Sequence, residues 1–466
     1  MDGFPRTPIT RLIVILWVLL VSTSGTVSAH EVGGTRFDTP IPLTVLFAGA
    51  ALAVAVTAGW LAVSNRTETP SGFSLRIGSF SGSLASWVRY AGRVLFLFAF
   101  LLVLVFGIFG PQVAAENFAT VFVWPIWLKG VAVVSVLVGS PWRVLSPWRT
   151  LYDGLVQLEG SEIAVIRKYP SWLEEWPALV GFVVWIGVIE NLTAVPRSPR
   201  ATTLLIAGYA IIMLLGAIAF GEDWLDRADA LGVLYGLFGR VAPVRVRRSS
   251  SGDYAVTLRP PWQGCSHPVR DVALVVFVVT SVYTVSFDGF ASTPEYQAAV
   301  VEVSNAVGYG LSTGVLLYLA GLGVFVGSFI VIVKFADAMG NRADVRGALR
   351  SFAPTVLPIA VAYEIAHNYP FIARNVGQVV FVLGKYVVAD PVALDPLAWL
   401  SLPIFWGSQV LLIVVGHVIA VVAAHLVTLE GYPTRRLASR AHVPLTVLMV
   451  GYTVLSLWII SRPIVS

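Results

Sequence analysis

The sequence predicts an all-α, polytopic transmembrane helix bundle of about ten spans following a cleaved signal peptide. Three observations carry this. The chain is 57% hydrophobic and only 12% charged, with a mean hydropathy of +0.80, where a soluble domain usually carries about 25% charged residues. Apolar runs long enough to cross a bilayer recur along its length. Basic residues collect in alternate gaps between those runs, the signature of cytoplasmic loops. That alternation also disposes of the nucleic-acid reading that a net charge of +5 and a pI near 9.3 invite, because the charge is not gathered on one basic and aromatic surface. The single cysteine, Cys265, excludes an internal disulfide framework and a cysteine-rich metal site. Cys265-Ser266-His267 therefore remains an isolated fragment.

The N-terminal segment, residues 1–29, reads as a signal peptide. Arg6 and Arg11 precede an apolar stretch from Leu12 to Val21, and Val27-Ser28-Ala29 offers the small residues that a cleavage site needs. Cleavage there makes His30 the new N-terminus. Its α-amino and imidazole nitrogens then form a chelate suited to copper.

Residues 30–466 form one integral membrane domain. Spans are expected near 41–63, 92–110, 119–139, 178–195, 201–220, 269–288, 307–335, 352–370, 404–429 and 443–461. Numbering each gap by the span before it, basic residues concentrate in the odd gaps. Examples are Arg66 to Arg93, Arg143 to Lys168, Arg240 to Arg248, Arg342 to Arg350 and Arg435 to Arg440. The positive-inside rule places these gaps in the cytoplasm and both mature termini outside, in a multi-pass plasma-membrane protein.

Two connecting regions are long. Residues 221–268 are expected to be a cytoplasmic loop. It holds an amphipathic, interfacial helix over Trp224 to Phe238 and a small hairpin over Arg245 to Trp262, where Tyr254 to Leu258 alternate. The acidic stretch Gly221 to Asp229 reads as a solvated helix start. Ser140-Pro141-Trp142-Arg143 and Ser146-Pro147-Trp148-Arg149 form a tandem motif that reads as a membrane-edge anchor. Residues 371–403 are expected to be external. Their apolar stretch, Val379 to Val388, is too short to span and is read as re-entrant or lying over the bundle.

The functional signal lies in groups that do not belong in lipid. Glu364 and His367 stand at i, i+3 and share a helix face. Asp288 closes the sixth span. His417 and His425 lie within Gly416 to His425, on the ninth. Those two histidines are eight residues apart, which is about 80° around the helix axis and about 12 Å along it, so they do not ligate one ion together. His417 is the better site candidate, and Gly416 beside it is expected to admit a neighbouring helix. Asn117, Glu190 and His425 are secondary candidates. With the odd gaps inside, His30, Asn117, Asp288, Glu364 and His367 all fall on the external side with His417 below them. A pocket open outward and floored by His417 is the simplest arrangement. Imidazoles and carboxylates suit zinc or copper, a metal-bound water would be a nucleophile, and without metal the same groups relay protons.

In the same order, Ala29-His30-Glu31-Val32-Gly33-Gly34, the two Trp-Arg motifs, Gly221-Glu222 with Trp224-Leu225, Phe287-Asp288-Gly289, Ala366-His367 and the Gly416 to His425 run resemble a family of prokaryotic polytopic membrane proteins often named fenitrothion hydrolase-like. The resemblance covers nearly the whole mature chain. Lys129 stands where the family is expected to carry a small residue, and Ser146 where it is expected to carry Asn.

Three functions follow as expectations. The first is a metal-dependent hydrolase, with phosphotriester-type chemistry implied by the resemblance. Its metal ligands would be His367, His417 and Asp288, with His30 as a further metal residue, and Glu364 and Asp288 would be its catalytic carboxylates. The second is a metal (copper) or small-solute transporter with His30 as the capture site, although four methionines are few for cuprous copper. The third is a haem or copper electron-transfer subunit, for which three intramembrane histidines permit one haem. The expected partners are the lipid bilayer, a small molecule or ion from the external side and a further membrane subunit, with no nucleic acid.

Overall fold

The computed structural model describes residues 42–63, 73–166, 168–250, 252–308, 310–388 and 391–462. The predicted signal peptide and His30 lie outside them. The described chain is an all-α bundle with one small sheet. Its elements are α1 (Leu43–Val63), β1 (Leu75–Phe80), α2 (Gly82–Phe109), α3 (Phe118–Val138), α4 (Trp142–Leu145), α5 (Pro147–Glu159), α6 (Ser171–Glu190), α7 (Pro199–Phe220), α8 (Glu222–Arg227), α9 (Ala230–Phe238), β2 (Val244–Arg248), β3 (Tyr254–Leu258), α10 (Val272–Ala291), α11 (Pro294–Val307), α12 (Leu311–Met339), α13 (Val345–Phe352), α14 (Leu357–Gly384), α15 (Leu402–Gly431) and α16 (Arg435–Ser461). Each apolar run of the sequence coincides with one of the long helices. Eight of these, α2, α3, α6, α7, α10, α12, α15 and α16, are long and apolar enough to cross a membrane. A lipid interior offers backbone groups no water, so the helix, which satisfies them internally, is the form these runs must take.

Helix starts are written locally. Ser81, Asn117, Ser198, Asp271, Thr293 and Thr434 each accept a hydrogen bond from a first-turn amide. Such capping satisfies donors that the helix cannot. Packing then runs α14 on α15 and α15 on α16, with α10 against α14 and α12, and with α2 and α7 flanking α3.

The connections sort to two faces. On one face the odd-numbered gaps meet. Arg93 pairs with Asp153 at 2.9 Å and Arg143 with Asp226, Arg350 Nε donates to the Val269 carbonyl at 2.8 Å, and Arg342 Nη1 donates to the Gly431 carbonyl at 3.3 Å. The sheet lies on this face too. β2 and β3 form the expected hairpin, and β1, from the first gap, adds antiparallel to β3 with a bulge between Arg76 and Gly78. On the opposite face the even-numbered gaps meet. Gln378 Nε2 donates to the Ala115 carbonyl at 2.6 Å, Lys385 pairs with Glu116 at 3.5 Å, and Arg462 pairs with Glu295. The alternation of charge along the sequence is thus an alternation of sides in space.

Four expectations are corrected. The span ending near 370 belongs to a helix, α14, that continues through Pro370 to Gly384, so Val379 onward is its last turns rather than a separate re-entrant piece. A side chain at Gly377 or Gly384 would run into Leu394 or Pro391, which is why the returning segment can lie against this end. The helix expected at the interface breaks at Asp229, and its second part, α9, is buried in the bundle with Leu231 and Tyr235 fully covered. A helix apolar on all sides belongs inside. α11 was not anticipated. Finally, the acidic stretch is a solvated helix start only at Glu222 and Asp223, and the tandem motif is not a free anchor, because Asp226 and Asp229 bind it. Asp226 takes both Arg143 and Arg149, and Asp229 Oδ2 accepts from Trp142 Nε1 at 2.7 Å and Trp148 Nε1 at 2.8 Å. Tyr209 OH and the Leu231 amide donate to its other oxygen.

Candidate functional site

The polar centre of the bundle is built around a lysine. Lys129 on α3 is 5% exposed, and its Nζ lies 3.0 Å from Glu190 Oε1 on α6 and 3.6 Å from Glu364 Oε1 on α14. Asp288 on α10 is near enough for its charge to act on both Lys129 and Glu190. Its Oδ2 also lies 3.4 Å from His367 Nε2, one turn along α14 from Glu364. Four helices therefore bring one ammonium, three carboxyl groups and one imidazole together.

Two spaces adjoin the cluster. A cavity of about 20 Å³ is bounded by Lys129, Asp288, Glu364, Asn191 and Thr284 among others; that is room for about one water. On its other side Glu190 borders a larger cavity of about 170 Å³, with Thr120, Trp124, Arg197 and Asn375. The latter opens on the face where the even-numbered gaps meet.

Local backbone form sets these positions. α3 widens from α- to π-helical pitch over Val123–Gly130, and α6 does the same over Val183–Glu190. Pro125, which has no amide hydrogen to give, stands within the first of these stretches. Wide turns of this kind are frequent at functional sites. Lys129 comes at the end of one and Glu190 closes the other. The surroundings hold them: Tyr235 OH reaches the carbonyls of Trp127 and Leu128 at 3.1 and 3.0 Å. A side chain at Gly187 would collide with Tyr318, whose hydroxyl sits 2.6 Å from Thr284 Oγ1. Gly289 gives the same clearance to Tyr363, whose ring stacks on His367 at 5.9 Å.

The sequence candidates divide. Asp288, Glu364 and His367 do come together, and Glu190, a secondary candidate, moves to the centre. Asn117 is structural: its side chain caps α3 and donates to the Phe106 and Pro111 carbonyls, both at 2.7 Å. His417 is buried on α15, with Nδ1 2.8 Å from the Ile413 carbonyl, and Gly416 beside it is packed directly against Ala362 and Pro358 as expected. Its Nε2 makes no hydrogen bond of ordinary geometry among the described residues, although the Tyr452 backbone acts on the ring. His425 stacks edge-on with His442, 5.2 Å between centroids.

Two residues were missed. His442 stood just outside the last apolar run, but α16 begins at Arg435 and carries it inside, so the spans hold four histidines rather than three. Lys129 was noted only as a departure from a family pattern, whereas a lone ammonium inside an apolar run is itself a signal.

Of the expected metal residues, His30 lies outside the described residues. Among the described residues no three of the His, Cys, Asp and Glu side chains converge to hold an ion. The carboxylates that do converge already face the Lys129 ammonium, whose charge opposes a dication at the same place. Comparison with protein-family models, curated proteins and solved structures finds no match.

Proposed function

We propose that the protein is a proton-coupled membrane carrier for a small solute. Its proton-exchanging site is Lys129 with Glu190, Glu364, Asp288 and His367, reached through the cavity that Glu190 borders. The observation that carries this is the ammonium of Lys129 set between two buried carboxylates. One ammonium faces three carboxyl groups, a formal imbalance of two negative charges. Isolated charge is costly in such surroundings. The cluster as a whole moves toward neutrality by holding protons. A site whose proton count is set by charge balance exchanges protons when a ligand or a helix movement alters that balance.

The larger cavity supplies the route from one face. By the positive-inside rule that face is external. His417 on α15, and the pair of His425 on α15 with His442 on α16, stand further toward the other face, so titratable groups recur through the depth of the bundle. Phosphotriester hydrolysis by a metal-held water, implied by the family resemblance, is less favoured, because Lys129 works against that metal.

The test is infrared difference spectroscopy of the purified protein between about pH 5 and about pH 9, followed by solute-evoked proton movement in dye-loaded proteoliposomes. A carboxylic-acid band that titrates in wild type and is lost in E190Q/E364Q, with proton movement lost in the same variant, is expected. Identical spectra in wild type and variant, with no solute moving protons, overturn the reading.

A further inference from the structure

The face where the odd-numbered gaps meet carries a second polar concavity. It measures about 560 Å³ and is bordered by Arg240, Arg245, Arg247, Arg259 and His267, with Gly139 and Ser140 at its edge. Gly139 directly follows α3, so the concavity sits at the end of a membrane-crossing helix.

Its arginines contrast with four others on this face. Arg93, Arg143, Arg149 and Arg270 each pair with a carboxylate. Among the described residues none of the four arginines here has an acidic partner. Two are instead fixed by backbone. Arg240 donates to the His267 and Pro268 carbonyls at 3.0 and 3.1 Å, and Arg259 donates to the Ala242 and Arg240 carbonyls at 3.0 and 2.8 Å. Arg245 and Arg247 stand at alternate positions of β2 and are exposed. Burial, and then the charges of its neighbours, pull the Arg259 guanidinium below its ordinary range. What sets these four apart is that they share one hollow. Holding four like charges together is unfavourable unless an anion completes them.

We propose that this concavity binds a phosphate group, with Arg240 and Arg259 as fixed donors and Arg245 and Arg247 closing over it. Guanidinium forks match phosphate oxygens in pairs. Its position at the end of α3 puts an anionic lipid headgroup within reach, and a soluble phosphate compound offers the same chemistry.

The experiment is native mass spectrometry of the full chain after delipidation, with phosphatidylglycerol or phosphatidylcholine added back, and thermal unfolding of the same protein with pyrophosphate. Phosphatidylglycerol retained about tenfold over phosphatidylcholine, and that preference lost in R245Q/R247Q but kept in R245K/R247K, supports the site and assigns it to lipid. Protection by pyrophosphate without a lipid preference, again lost in R245Q/R247Q, supports the site and assigns it to a soluble phosphate. Both substituted positions are exposed on β2, so the fold is expected to tolerate the change, and R247Q alone serves if the double variant does not fold. Wild type with neither preference nor protection, or R245Q/R247Q protein that retains either, overturns the proposal.

Discussion

Lys129 Nζ lies 3.0 Å from Glu190 Oε1, and each of the two residues stands at the end of a π-helical stretch in its own helix. Removing the ammonium should therefore cost more than one ion pair in water. Lys129→Met leaves Glu190, Glu364 and Asp288 facing one another with no cation. Breaking a buried pair from one side typically costs about 3–5 kcal/mol. The expected outcome is a large fall in unfolding temperature in detergent for K129M, with partial recovery in K129M/E190Q because the orphaned carboxylate is then neutral. Equal stability of K129M and wild type would show that the cluster carries no net charge to balance.

Gly416 meets Ala362 across the α14–α15 contact, and its missing side chain is what lets the helices touch. A Cβ there would overlap the Ala362 methyl and sit 2.7 Å from the Pro358 carbonyl oxygen. G416A is expected to destabilise by about 1–3 kcal/mol through overpacking, with A362G/G416A recovering part of the loss in the same unfolding assay. Glu364 and His367 ride on α14, so the single variant should also shift the titration of the carboxyl band.

These two sites mark what was legible in the sequence and what was not. Gly416 was readable because a small residue next to a buried imidazole has a local meaning. The alternation of arginines was readable because sidedness is a one-dimensional property of the chain. Glu364 with His367 was readable because i, i+3 spacing fixes a shared face. The Lys129–Glu190 pair was not, since 61 positions separate the residues (190 − 129 = 61) and their meeting depends on two local widenings of helical pitch. His442 was lost because an apolar run sets where a span is seen to begin, while α16 extends through Arg435 and Arg436 before the run starts. The burial of α9 was lost because its neighbours in sequence are charged. Asp229 answers two tryptophans and a tyrosine that only the fold brings near.

Cys265 provides a reporter of unfolding. It is fully buried, and burial pushes its thiol up to about 12, against the opposing pull of Arg240 and Arg259. The native thiol should resist alkylation at mildly alkaline pH and react once the protein unfolds, because the thiolate is the nucleophile. Its folded value lies above its unfolded value near 9.0. The contribution is thus fully present below that pH and is lost as pH rises toward the folded value, by at most about 1.4 kcal/mol per pH unit. Denaturant titrations across this range should show a steeper fall in wild type than in C265A, the remainder coming from tyrosines such as Tyr169 and Tyr432 whose hydroxyls burial also pushes up. Rapid alkylation of the folded protein would place the thiol in solvent instead.

Sidedness can be fixed on the same cysteine-free background. Leu158 on α5 and Val387 just beyond α14 are both highly exposed, at 87% and 84%, and they lie on opposite faces of the bundle. α5 belongs to the face that gathers Arg93, Arg143 and Arg149, whereas Lys385 beside Val387 pairs with Glu116 on the other. The positive-inside rule puts the arginine-rich face in the cytoplasm. In intact cells, a membrane-impermeant maleimide is then expected to label C265A/V387C promptly and C265A/L158C only after permeabilisation. The reverse pattern would turn the protein over in the membrane and open the Glu190 cavity to the cytoplasm. Equal labelling of both would mean that the two faces are not separated by a bilayer.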